Sequence, residues 1–135
     1  MAFIKWDRSL SVGIKEIDDQ HKYLIETINN ANKDLESLNK KAIKKLLNDL
    51  LDYVRLHFST EERYFEKHDY PGIKKHMEEH ALLIEKVIHY ADKFEQGRNI
   101  VPELIVFLRD WLEDHLKTED HEYALFFKEI GVSKL

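Results

Sequence analysis

IKKHMEEHALLIEKVIHYADKFE, residues 73–95, places apolar or aromatic side chains at Ile73, Leu83, Val87, Tyr90 and Phe94, and histidines at His76 and His80 in the remaining places of that series. The steps 73, 76, 80, 83, 87, 90 and 94 alternate between three and four. That is the inward stripe of a helix packed in a bundle. Two histidines four apart also suggest a zinc-protease helix. That motif needs glutamate directly after the first histidine, and Met77 stands there. The pair must be explained by what the rest of the chain brings to it.

Outward from this helix, the same spacing recurs. HDYPG, residues 68–72, breaks the chain ahead of it, because Pro71 disfavours helix in the residue before it. Before that break a helix is expected from Ala42 to Lys67, with Ile43, Leu47, Leu50, Val54, His57, Glu61 and Tyr64 on its seam. NKK, residues 39–41, is a short turn. A first helix is expected from Asp18 or Asp19, either of which could cap it, to Leu38, with His21, Leu24, Ile28, Ala31, Leu35 and Leu38 inward. Gly97 suits the end of the 73–95 helix. Pro102 suits the first turn of a fourth, expected to reach Thr118, with Val101, Leu104, Leu108, Trp111 and His115 along its seam. Residues 1–17 form an N-terminal arm carrying Trp6. The segment EYALFFKEIGVSKL, 122–135, reads as a short tail folded over one end. Short connections make sequential neighbours antiparallel. The expected fold is all-α: an antiparallel up-down-up-down four-helix bundle with an N-terminal arm and a short C-terminal tail.

The chain has 135 residues, 43% of them hydrophobic and 35% charged, which suits one domain, 1–135, with a single core. A net charge of −5 without a long basic run argues against nucleic acid as a partner. The absence of cysteine excludes disulfides and thiolate metal sites. No apolar run approaches a membrane span, and MAFIKWDRSL lacks a secretory leader's apolar core. The expectation is a cytoplasmic monomer that engages neither membrane nor nucleic acid.

Six seam positions are not apolar: His21, His57, Glu61, His76, His80 and His115. Left unpaired, each buried polar group costs roughly 1–3 kcal/mol, against a domain stability of about 5–15 kcal/mol. One histidine on such a stripe is ordinary; six groups need a common partner. Their heights agree, since they fall near the starts of the first and third helices and near the ends of the second and fourth. In an antiparallel bundle all of these lie at one end. Asp120 adds a second carboxylate five residues after His115. That spacing is about 140° around a regular helix, so a π-bulge or a helix end must turn it inward. Five imidazoles and two carboxylates exceed one metal ion and suit two, with the carboxylates bridging. A nitrogen-rich, thiolate-free set favours iron over calcium or magnesium and is compatible with zinc, copper and manganese. By helical period His89 faces solvent, His68 sits exposed in a turn, and Glu78, Glu79 and Glu62 lie off the seam. His121 is the one competitor of Asp120.

A lone histidine in EIDDQH (16–21), then HFSTE (57–61), HMEEH (76–80) and HLKTED (115–120), resembles the hemerythrin signature of His, HxxxE, HxxxH and HxxxxD. The likeness spans nearly the whole chain, including Trp6-Asp7 in the arm. It implies two non-haem iron ions with an oxo or hydroxo bridge. His76, His80 and His115 would hold one, His21 and His57 the other, and Glu61 and Asp120 both. The second iron would keep an open place for dioxygen, as reactive metal sites do. The implied chemistry is reversible: the diferrous pair gives two electrons to bound dioxygen and recovers them on release. Leu112, Trp111 and Phe58 would wall a dry pocket, and Tyr123 would hydrogen-bond the bridging glutamate. The function implied is oxygen delivery, storage or sensing, the last through a separate protein partner. The alternative is a di-iron enzyme that turns over peroxide or nitric oxide.

Overall fold

The computed structural model describes residues 4–34 and 39–131. After a 3-10 turn at Arg8–Leu10 come helices α1 (Lys15–Lys33), α2 (Lys40–Lys67), α3 (Ile73–Glu95), α4 (Val101–Lys117) and α5 (Glu119–Ile130). Helices α1 to α4 form the antiparallel bundle. The alternation is visible in its contacts: side chains near the starts of α1 and α3 meet side chains near the ends of α2 and α4.

Three helix boundaries have a clear chemical reason. Asn39 caps α2 by accepting a hydrogen bond from the Ala42 amide at 2.8 Å. Pro102 lies in the first turn of α4. Gly97 adopts φ +86° just past α3, a left-handed conformation that glycine takes without a Cβ clash. There the Arg98 amide donates back to the Lys93 carbonyl at 3.2 Å.

Two expectations about the ends of the chain are corrected. The first helix begins at Lys15, and neither Asp18 nor Asp19 caps it. Asp18 instead ties the arm to α1, accepting from the Val12 amide at 2.9 Å and the Ser11 hydroxyl at 2.5 Å. Residues 122–130 of the segment read as a tail belong to the twelve-residue helix α5. The expected end of the first helix at Leu38, with seam positions Leu35 and Leu38, lies outside the described residues, as do 132–135.

The apolar core has two parts. The larger runs along the bundle and includes Leu24, Ile28, Leu47, Val54, Leu83, Val87, Leu104, Leu108 and Leu112. The smaller joins Ile14 and Ile17, Tyr64 and Phe65, Tyr70, and Tyr123 and Phe127 of α5. Helices α1, α2 and α3 each pass from one cluster to the other through a histidine or carboxylate: Ile17–His21–Leu24, Phe58–Glu61–Tyr64, Ile73–His76/His80–Leu83. The polar residues thus form a layer between two apolar ones. Among the described residues no helix is long and apolar enough to cross a membrane.

Candidate metal centre

The seven residues expected at the site come together. His21, His57, Glu61, His76, His80, His115 and Asp120 are each at most 3% exposed. Their ligand atoms gather in two sets that lie within 4.8 Å: Glu61 with His76, His80 and His115, and Glu61 with His21 and His57. Glu61 belongs to both. Asp120 also reaches both, with Oδ2 3.1 Å from His21 Nε2 and Oδ1 3.1 Å and 3.0 Å from Nε2 of His76 and His115.

Asp120 reaches the centre because the chain breaks before it. Thr118, at φ −109° and ψ −82°, separates α4 from α5, so His115 and Asp120 stand on different helices. Of the two distortions expected, the helix end is the one present. His121 is exposed and takes no part. His89 and Glu78 are exposed, as the helical period implied. His68 is half-buried rather than exposed, its ring 5.8 Å from that of Phe127.

The donor set itself tests whether cations fit. Nε2 of His21, His76 and His80, Oε1 of Glu61 and both Asp120 oxygens are buried without a hydrogen-bond partner. They approach one another within 3.1 Å, close enough to converge on a shared cation or, without one, a shared proton. Buried polar atoms are almost always satisfied. Lone pairs turned toward common points are satisfied by metal ions, and the nitrogen–carboxylate donors suit iron.

The groups behind the histidines orient them. The Thr60 hydroxyl donates to the Leu56 carbonyl at 3.0 Å and accepts from Gln20 Nε2 at 3.2 Å. That fixes the Gln20 amide so that its oxygen meets His57 Nδ1 at 2.7 Å. His57 therefore carries its hydrogen on Nδ1 and turns the Nε2 lone pair inward. His80 Nδ1 faces Glu62 Oε2 at 3.4 Å. Tyr123, fully buried, donates its phenol to Glu61 Oε2. Sequence reading missed Gln20 and placed Glu62 off the seam. Glu62 is half-buried and meets His80 from the flank. The signal for Gln20 was its position directly before His21.

Charge in the layer is balanced by protons before any cation binds. Burial pushes both carboxyls, Glu61 and Asp120, up, and Asp120 repels Glu61 further, but the surrounding histidines outweigh these effects and hold both well below the usual range. Burial alone would lower His76; the Asp120 and Glu61 carboxylates instead carry it up to about 10. His115 is raised against its burial by Asp120. Burial dominates at His57 and drives it down to about 3, leaving it neutral. Burial also lifts Tyr123 well above its ordinary value, so it remains a hydrogen-bond donor.

The apolar residues expected around the site lie against it. Phe58 stacks on His80 with ring centroids 3.5 Å apart, and Trp111 on His115 at 4.4 Å. Leu112 is buried one turn before His115. Trp111 is only half-buried, because the inward face of α4 is turned toward Ile105, Leu112 and Leu116 and leaves Trp111 at its edge.

Residues 12–125 match the family model of the hemerythrin HHE cation binding domain. Bacteriohemerythrin of Stenotrophomonas maltophilia (strain R551-3) is 33% identical over 124 residues, which cover 92% of this chain and 81% of that protein. Bacteriohemerythrin of Methylococcus capsulatus (strain ATCC 33009 / NCIMB 11132 / Bath) is 30% identical, covering 92% and 96%. A crystal structure of wild-type hemerythrin superposes with a TM-score of 0.84 at 30% identity, over 91% of this chain and 96% of the other.

Proposed function

The chain belongs to the hemerythrin family, and from that membership we propose that it binds dioxygen reversibly at two non-haem iron ions, for delivery, storage or sensing. His76, His80 and His115 hold one ion, His21 and His57 the other, and Glu61 and Asp120 contribute to both. The observation that carries this reading is the sharing of two buried carboxylates between two histidine sets of unequal size. The smaller set has one nitrogen fewer, which leaves a place for an exogenous ligand. When bound, the iron pair supplies the two electrons that dioxygen takes up.

The chain's own residues protect that chemistry. Leu112, Phe58 and Trp111 are apolar walls that keep bulk water from the centre, and exclusion of water suppresses side reactions. Tyr123 holds Glu61 by its phenol, and Gln20 keeps the His57 lone pair inward.

The test is iron content together with the visible spectrum. The loaded protein is reduced without air, oxygen is admitted, and oxygen is then removed. The reading expects two irons per chain and a charge-transfer band that comes and goes with the gas. Two irons with immediate, irreversible oxidation would remove oxygen carriage and move the function toward redox enzymology. Failure to take up iron after reconstitution would remove the iron reading altogether.

A further inference from the structure

His80 is flanked on three sides by residues of a single helix. Phe58 lies on its face with planes 2° from parallel, Glu61 Oε1 lies 3.1 Å from Nε2, and Glu62 Oε2 lies 3.4 Å from Nδ1. Positions 58, 61 and 62 are i, i+3 and i+4 on α2, so one face of the helix supplies the cradle. The Glu62 side chain is 26% exposed and borders a groove of about 480 Å³ between α2 and α3, lined also by Arg55, Ser59 and Met77. His57, the ligand on the other side of Glu61, is backed differently. Its Nδ1 meets the neutral amide oxygen of Gln20.

A ring nitrogen that donates to a carboxylate makes the opposite nitrogen a stronger metal donor than one that donates to an amide. The stronger donor stabilises the more highly charged metal. We propose that Glu62 is a positioning residue that strengthens His80 as a ligand, so that the ion held by His76, His80 and His115 has a lower reduction potential than the ion held by His21 and His57. This rests on the iron reading above. The step concerned is the transfer of one electron from an external one-electron donor to the ferric ion of the three-histidine set, giving the ferrous ion; no bond is made or broken.

The test is a spectroelectrochemical titration of iron-loaded protein, comparing wild type, Glu62→Gln and Gln20→Glu. Glu62→Gln keeps the acceptor and its size but removes the charge. It is expected to shift one of the two one-electron steps to higher potential and leave the other in place. Gln20→Glu adds a carboxylate behind His57 and is expected to lower the other step. A second readout needs no iron: in zinc-loaded protein, the ¹⁵N resonance of His80 Nδ1 should shift in Glu62→Gln while that of His57 stays. Unmoved potentials in a Glu62→Gln protein that retains both irons would overturn the proposal and leave the oxygen reading standing. A wild-type chain that takes up no iron would overturn the oxygen reading instead, and the zinc-loaded resonances would still decide whether Glu62 polarises His80.

Discussion

Tyr123 and Glu61 are 62 residues apart in sequence, and both are fully buried. The phenol fixes one Glu61 oxygen. Removing the hydroxyl without changing the ring, as in Tyr123→Phe, should leave the packing against Phe65 and Phe127 intact and free the carboxylate to rotate. The expected result is about 10- to 100-fold weaker metal binding, the usual cost of losing a group that orients a ligand, measured by competition with a chelator. Unchanged affinity would show that packing alone orients Glu61. Residues of this kind were only partly legible in the sequence. Six of the seven candidate ligands stand out because they interrupt an apolar period, and an interruption is visible along the chain; Asp120 falls off that period and is reached through its spacing from His115. Gln20 and Glu62 interrupt nothing. Their partners, His57 and His80, lie 37 and 18 residues away, and no periodicity reports a side chain's reach across two helices.

Helix α5 carries both Asp120 and Tyr123, and it is held down by Phe127, which is fully buried among Tyr64, Phe65 and Tyr70. Phe127→Ala should cost about 3–5 kcal/mol and loosen the helix that delivers Asp120. Leu104→Ala, in the other apolar cluster, is the control, at about 2–5 kcal/mol. Denaturant unfolding should show both losses, and iron content should fall only for Phe127→Ala. Equal iron loss in the two would mean that α5 has no special part in holding Asp120. The four bundle helices could be read from alternating steps of three and four. The fifth reads as a tail in the sequence because it is short. Its signal was the pair Tyr123 and Phe127, four residues apart, with Gly131 following at φ +75°. The start of α1 was misplaced for a different reason. An aspartate near a helix start reads as a cap, whereas Asp18 bonds the arm that precedes the helix.

Across the molecule, the layer of ionisable groups makes the stability of the cation-free protein depend on pH in both directions. His76 is raised to about 10 from an ordinary 6.5, so its stabilisation is complete below about 6.5 and fades as pH rises through 10. His57 is lowered to about 3. As pH falls from 6.5 toward 3 the unfolded chain takes up a proton that the folded one refuses, and stability falls. The depressed carboxyls of Glu61 and Asp120 stabilise the fold above the ordinary carboxylate range and lose that effect in acid. Urea midpoints of chelator-treated protein should therefore peak near neutrality and decline by pH 4 and by pH 10. A flat profile between 6.5 and 10 would contradict a raised His76. Loading with divalent cations at neutral pH should release protons, His76 and His115 among the sources, into a weakly buffered indicator solution.

Trp111 stacks on His115 with centroids 4.4 Å apart and planes 16° from parallel, so the natural emission of its indole should report on what the candidate centre holds. An indole in contact with a ligand of a coloured, redox-active ion loses its excited state to that ion before it can emit. The chain has two tryptophans. The other, Trp6, lies under the ammonium of Lys22, 4.2 Å from the ring centroid. Ultraviolet-excited emission should therefore dim as iron is taken up and recover on chelation, and Trp111→Phe should abolish most of that response while the light from Trp6 persists. The occupancy of the buried layer could then be followed in dilute solution, in real time and without an added dye.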